Sequence, residues 1–457
     1  MKLTKAIIGL AALALTACDF TDLTPTDKVS DGQISTSVST LKQSLNGVFA
    51  KASWKTTIGA TATLSDDVIK GGQNGGAHDD NYKWTYSAST GDHSGLWSSF
   101  YGVIAEANTL IDNSTKVKAE TDADKKELDD IVGNAIFLRS YFYFDLVRFF
   151  SDFNDKASYG VPYTDKPVLL ETLGRNSVEE CYTFLLRDLN EAVSKLSADH
   201  PANNGYASKD AARALMARIY FYAKDYDNAY KTAKQVLDAN PIASISEYPN
   251  IWIDRSTKEV LFSINCTAND ERLGNEFFWD DKSSLFEASQ EIINSFDPAD
   301  TRLALFIDDG LDRDNVPVKR IIKHKGATAK VGLVNEKMLR SSEMLLIMAE
   351  AKANMAGGMG EANSLLNQLR KNRINGWTDK TYSTKEEFMA QINLERRHEL
   401  CYEGHRWFDL RRWNLPITKG LISKTLEVND YHRIYPIPLS ELEANPTIAK
   451  QQNKGYQ

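Results

Sequence analysis

The chain has 457 residues, 42% of them hydrophobic and 25% charged, with a formal net charge of −8. That mixture suits a large globular core. The acidic balance argues against nucleic acid, which needs clustered Lys and Arg, and against a polybasic membrane patch. In chain order, Lys2 and Lys5 come first, followed by a twelve-residue apolar run at 6–17. As a helix this run spans about 18 Å, too short for a bilayer core of roughly 30 Å. It reads as a signal peptide, and its loss would take the charge from −8 to −10.

Leu15-Thr16-Ala17-Cys18 resembles a bacterial lipobox. In that class the Cys18 thiol takes a diacylglycerol and the new amino terminus is acylated after cleavage. Several chains give stable anchoring, where one alone binds marginally. Asp19 and Asp22 open a polar stretch running to about residue 34, read as a solvated tether. Acids after the lipid cysteine resemble the surface-export signal of Bacteroidetes lipoproteins. In enterobacteria an Asp at that place resembles an inner-membrane retention signal instead. The remaining cysteines, Cys181, Cys266 and Cys401, are odd in number and widely spaced. They read as buried thiols acting as small hydrophobes.

Apolar spacing predicts helices over 35–51 and 97–113, with an irregular segment at 54–95 between them. A long helix is predicted over 122–150, where Leu128, Ile131, Val132, Ala135, Ile136, Phe142, Leu146 and Phe149 recur at three- and four-residue steps. Another is predicted over 177–197, with Ser177 at the cap and Glu180 three residues on. Residues 210–241 fit a tetratricopeptide unit. Ala217, Tyr220, Tyr226, Ala229, Ala233 and Pro241 fall at its small, aromatic and proline positions. A looser unit covers 343–373, and the pair 122–150 with 177–197 supplies a third. Segment 242–335 breaks the pattern with β-like runs at 259–264 and 318–324, and reads as an insertion on a helical platform. A loop at 377–383, a charged helix over 384–413 and an extended tail from about 421 complete the reading.

Three groups invite chemistry. His398, Cys401 and His405 sit at i, i+3 and i+7, conceivable for a metal on one helical face. The second histidine is missing at the metalloprotease spacing, and Gly404 weakens the helix. A packed helix with Glu–Arg pairs, and with Trp407 and Trp413 facing the core, is favoured. Asp66-Asp67 and Asp280-Asp281 resemble paired glycosidase acids, but sequence neighbours point differently. Asp308, Asp309, Asp312 and Asp314 are spaced somewhat like a calcium loop, without the closing glutamate. No catalytic residue, no cofactor and no metal is expected.

Capture of a small polar ligand needs flat aromatic faces and planar polar groups, best carried on irregular segments of a rigid scaffold. Two clusters qualify: His78, Asn81, Tyr82, Trp84 and Tyr86 in the first irregular segment, and Asn275, Phe277, Phe278 and Trp279 in the second. The competing reading is that these rings pack the loops onto the platform.

Four stretches together resemble the SusD/RagB family. They are Leu96-Trp97 through Tyr101, Ile104 and Asn108; Ala135 and Leu138-Arg139 through Leu146-Val147; Glu395 through Trp413; and Tyr435-Pro436-Ile437-Pro438 through Asn445-Pro446, Gln452-Asn453 and Gly455-Tyr456. With the lipobox, the likeness runs from residue 1 to 456. It implies a mainly α, tetratricopeptide-like helical-repeat platform with irregular loop-rich and short β insertions. The expected organisation is a signal peptide at 1–17, a lipid-anchored tether at 18–34, and a single helical domain at 35–457 with insertions at about 54–95 and 242–335. The resemblance further implies a non-catalytic outer-membrane lipoprotein, facing the cell surface, with oligosaccharide or peptide ligands. Its expected partner is a SusC-like TonB-dependent transporter. Family ligand contacts lie in the loop before the Leu96-Trp97 helix and in the mid-chain insertion, where the two clusters fall. The alternative is a tetratricopeptide-type protein-interaction scaffold at the outer membrane.

Overall fold

The computed structural model describes residues 37–168, 171–198, 205–267, 269–327 and 330–457. The expected signal peptide, Cys18 and the tether lie outside the described residues. Among the described residues, no helix is long and apolar enough to cross a membrane.

The platform is a row of helices, each packed on the next. Helix α1 (Val38–Lys51) starts where Ser37 Oγ accepts from Thr40 N at 3.2 Å, and buries Val38, Leu41, Leu45 and Val48 at helical spacing. It packs on α4 (His93–Ser114) and α5 (Asp122–Phe150). Helix α5 matches the predicted span and opens with a capping box between Thr121 and Asp124. From Ile131 to Phe150 every residue is buried, so α5 is the axle of the core. Helix α6 (Val178–Lys195) follows its own capping box between Ser177 and Glu180 and packs on α5.

Helices α7 (Lys209–Tyr222) and α8 (Tyr226–Ala239) form the predicted repeat unit. Ala217, Ala229 and Ala233 are fully buried, so the two backbones approach closely. Helix α8 packs on α12 (Ser341–Ala353), α12 on α13 (Met359–Lys371), and α12 also on α14 (Lys385–Leu400). Successive helices bury their apolar faces against one another, the logic of a repeat array, and α5 is covered as well by segments from outside the row.

Three expectations need correction. Segment 54–95 is not irregular throughout: it holds α2 (Lys55–Leu64) and the short α3 (Asp79–Lys83). Helix α2 is buried from Thr57 to Leu64, so it has no polar face to produce a periodic pattern. Its threonines return their hydroxyls to the helix, Thr61 to Thr57 O at 2.8 Å and Thr63 to Gly59 O at 2.9 Å. The predicted single helix over 384–413 is two. It stops at Leu400, turns through Tyr402 (φ 61°) and Gly404 (φ 86°), and resumes as α15 (Arg406–Arg412). The tail is not uniformly extended. It carries a small hairpin of β7 (Ile417–Lys419) and β8 (Lys424–Leu426), then α16 (Leu439–Ala444) and α17 (Pro446–Ala449).

The closing residues lock onto the end of α5. Tyr435 N donates to Phe149 O at 3.0 Å, and Asn453 Nδ2 to Phe150 O at 2.8 Å. The turn after α14 serves a buried charge cluster. Glu399 accepts from Arg340, Arg373, Arg302 and the Tyr248 hydroxyl at 3.0–3.1 Å. Glu403 accepts from Arg340 at 2.7 Å and from Lys323 at 2.6 Å. Fully paired, such a cluster is tolerable; breaking it is costly.

Mid-chain, α9 (Tyr248–Trp252) leads into β2 (Val260–Ile264), which pairs antiparallel with β6 (Glu336–Arg340). Helices α10 (Gln290–Ser295) and α11 (Thr301–Phe306) lie between them in sequence. The remaining strands form a four-stranded antiparallel sheet in the order β1 (Val68–Lys70), β3 (Phe286–Ala288), β5 (Pro317–Ile321), β4 (Ile307–Leu311).

Candidate ligand-binding face

That sheet brings the two irregular segments together. Val68 pairs with Ala288 and Lys70 with Phe286, so the first segment supplies an edge strand to the second. The join continues where Gly71 N donates to Leu285 O at 2.9 Å and Asn74 Nδ2 to the same oxygen at 3.1 Å. Only glycine fits at 71, because a Cβ there would lie 2.2 Å from Ser284 O.

His78 makes the second tie. Its Nδ1 is 2.5 Å from Asp92 Oδ2, and its Nε2 lies 3.5 Å from Glu276 Oε2. Burial alone would lower its pKa. The hydrogen bonds to Asp92 and Glu276 outweigh this and push it up to about 10. His78 is therefore an imidazolium at neutral pH, bridging an acid of its own segment to an acid of the other.

Of the nine candidate ligand residues, six are buried. Asn81 spends its amide on Asp92 (2.9 Å) and the Tyr435 hydroxyl (2.8 Å). Tyr82 and Trp84 lie over the Lys419 ammonium, 4.2 and 4.5 Å from their ring centroids, and Trp84 Nε1 donates to Leu64 O at 2.9 Å. Tyr86 meets Tyr435 edge-on at 4.9 Å and donates to His432 O. Phe277 stacks on His324 at 5.7 Å, and Phe278 lies against the backbone of Gly274 and Gly332. The five rings and the Asn81 amide are thus spent on packing: Tyr82 and Trp84 against hairpin β7–β8, Asn81 and Tyr86 against Tyr435, and Phe277 and Phe278 inside the β2–β6 connection. None offers a free face to a ligand in this conformation.

Three remain. His78 and Asn275 are half-buried, and Trp279 is 50% exposed. Asn275 Oδ1 has no hydrogen-bond partner. Trp279 stands on a tight turn, its N–H donating to Ser283 O at 3.0 Å. Asp280 accepts from Lys282 N and Ser283 Oγ at 2.8 Å, and pairs with Arg313 at 2.9 Å. Asp281 O accepts from Arg320 at 2.7 Å, and its carboxylate pairs with Lys325 at 2.7 Å. The turn is thus pinned to hairpin β4–β5, whose tip exposes Leu311 (49%) and Val316 (52%). An exposed indole on a pinned turn, an ion pair at the next residue and two exposed apolar side chains at the tip of the hairpin to which that turn is tied make a shallow contact surface. Sequence reasoning missed Arg313, Leu311 and Val316. Their signal was an apolar residue on each side of an Asp-Arg-Asp-Asn turn.

The tempting chemical groups are spent on structure. Arg406 grips Asp66 through two bonds of 2.7 Å, and Arg397 holds Asp67 at 2.8 Å. Burial pushes the Asp66 carboxyl up, but Arg406 and Arg397 hold it well below the usual range. Asp308 and Asp309 lie within β4 and pair with Arg320 and Lys319, while Asp312 closes the hairpin turn by accepting from Asp314 N at 2.9 Å and Val316 N at 2.8 Å, so the calcium-loop spacing is a strand followed by its turn. His398 Nε2 is 2.8 Å from Ser295 Oγ, while His405 lies beyond the turn that ends α14. The three proposed metal ligands therefore share no helical face. Cys181 and Cys401 are buried and Cys266 half-buried, all three free.

A tetratricopeptide-like helical array carrying an irregular face stitched from two distant loops defines the class: a repeat-platform protein with a loop-built surface. Residues 314–456 match the family model described as the SusD family, and residues 19–221 the one described as starch-binding associating with outer membrane. SusD-like protein P2 of Formosa agariphila is 23% identical over 520 residues, covering all of both chains. A SusD superfamily protein of Bacteroides thetaiotaomicron is 27% identical with a TM-score of 0.81, covering 91% of this chain and 99% of that one. The surface glycan-binding protein A of Bacteroides fluxus has a TM-score of 0.72 at 21% identity, covering 94% of this chain and 100% of its own. The chain belongs to the SusD-like family.

Proposed function

We propose that this protein binds an oligosaccharide at the Trp279 face, without chemistry, and hands it to a SusC-like TonB-dependent transporter while acyl chains on Cys18 hold it at the outer membrane. The observation that carries the reading is the Trp279 indole, half exposed on a pinned turn. A flat ring of this kind stacks on the C–H face of a pyranose. The neighbouring Asp280–Arg313 pair supplies acceptors and donors for hydroxyl groups. The match to a family described as starch-binding and outer-membrane-associating supports the same reading. Asp66 and Asp67, the acids nearest to a hydrolytic pair in sequence, are held by arginines, which favours capture over cleavage.

Calorimetry against a panel of plant and algal oligosaccharides tests the ligand class. Binding of at least one glycan, weakened by Trp279→Ala, is expected. Mass spectrometry of the mature amino-terminal peptide tests the anchor, and co-purification of a large β-barrel from membranes tests the partner. A protein-interaction scaffold would bind no glycan on the panel, and that outcome refutes the reading.

A further inference from the structure

Glu336 is an anomaly. Eight glutamates are buried among the described residues, and seven pair with an arginine, lysine or histidine. Among the described residues, Glu336 has no such partner within ion-pair distance. Its oxygens accept only from Ser53 Oγ at 2.8 Å and from Trp54 N at 2.6 Å. The nearest cation, Lys55, is drawn away to Glu271 and, at 3.8 Å, to Glu276. A buried carboxylate without a counter-charge costs stability that a cation would return.

Glu336 also lines a cleft of about 600 Å³, between the end of α1 and the segment after β2. This is within the size range of ligand pockets. The carboxylate is held in place from two sides. It opens strand β6 opposite Ile264, and Trp54, which donates to it, is locked by stacking on Phe142 at 4.6 Å. Phe49 and Tyr206 form one wall, edge to face at 5.3 Å. Aromatic faces and an anion together suit an organic ammonium ion. Thr267, Asn269 and Asp270 on the rim add a hydroxyl, an amide and a second carboxylate, which suit a polyol that carries an amine. Burial pushes the Glu336 carboxyl above its ordinary value, so a cation brought against it would restore the charged form.

We infer that this cleft is a second ligand site, which takes a free-amine amino sugar with its ammonium on Glu336 and its ring against Phe49 and Tyr206. The site is built from residues other than the Trp279 face and stands without it.

Calorimetry of the full chain with glucosamine trimer, and with its fully N-acetylated counterpart, tests the assignment. The free-amine trimer should bind at least tenfold more tightly than the acetylated one. Glu336→Gln, which keeps the shape and the acceptor for Trp54, should weaken it at least tenfold. Asp270→Asn, at the exposed rim, should weaken it a few-fold with no effect on folding, and decides the matter if Glu336→Gln melts early. Trp279→Ala should leave this binding unchanged, which separates it from the glycan site above. No heat from the free-amine trimer, equal binding of the two trimers, or wild-type affinity in Asp270→Asn overturns the proposal. Tighter binding of trilysine than of glucosamine trimer overturns the sugar assignment.

Discussion

Two tryptophans from the same pair of loops should behave oppositely. Trp279 keeps half of its surface exposed, and Trp84 keeps 1%. A pyranose lying on one face of an indole removes about 80 Å² of ring from water, worth about 2 kcal/mol at ~25 cal/mol per Å². Trp279→Ala should therefore weaken a bound oligosaccharide about 30-fold, while costing less than about 1 kcal/mol of stability. Trp84→Ala empties a site under the Lys419 ammonium and frees the Leu64 carbonyl. It should cost about 3–5 kcal/mol, as large core truncations do. Paired calorimetry and urea denaturation on the two variants check both arms. The reasoning fails if Trp279→Ala binds like wild type while Trp84→Ala loses binding at unchanged stability.

Glu399→Gln should leave Arg302, Arg340 and Arg373 one carboxylate short, each still paired with another acid, and cost about 3 kcal/mol, read from the urea midpoint. The same region should make the fold acid-sensitive. Burial pushes the Glu395 carboxyl up, but Arg302 and Arg370 win and hold it at about 2. Burial, with the Arg302 charge, presses His398 down to about 3. Both folded values lie below their unfolded ones, 4.5 and 6.5, so the unfolded chain binds more protons. Stability should fall as pH drops, first through the His398 window from 6.5 to about 3, then through the Glu395 window from 4.5 to about 2. Urea midpoints that stay level between pH 7 and pH 4 would refute this. His78→Asn should remove the imidazolium tie between the loops, costing about 2 kcal/mol of charge-assisted hydrogen bonding and opening residues 71–77 to limited proteolysis; unchanged cleavage rates would count against the tie.

Much of the platform was readable in advance because its signals are local. The Ser177–Glu180 box marks a helix start within a residue, the apolar steps from Leu128 to Phe149 mark α5, and the small residues at 217, 229 and 233 report a close helix pair. Helix α2 was missed because burial on all sides erases the periodic contrast on which such reading depends. The break at 401–405 is set by where Glu403 must go, toward Arg340 and Lys323, and those partners lie 63 and 80 residues away. Most of the candidate rings lie inside for a related reason. Tyr82, Trp84 and Tyr86 sit in a polar, glycine-rich stretch that looks exposed, yet Lys419 and Tyr435, more than 300 residues on, close over them. Composition locates aromatic loops; only the contacts between distant segments tell which ring is left outside.

The strand contributed by residues 68–70 to a sheet otherwise drawn from 286–321 has a practical consequence for anyone recombining such proteins. The two loops are halves of one cartridge. Transplanting the mid-chain half alone would bring β3 with its outer edge bare, an invitation to pair with another molecule. A chimera that carries both halves, together with the glycine at 71, inherits a finished surface.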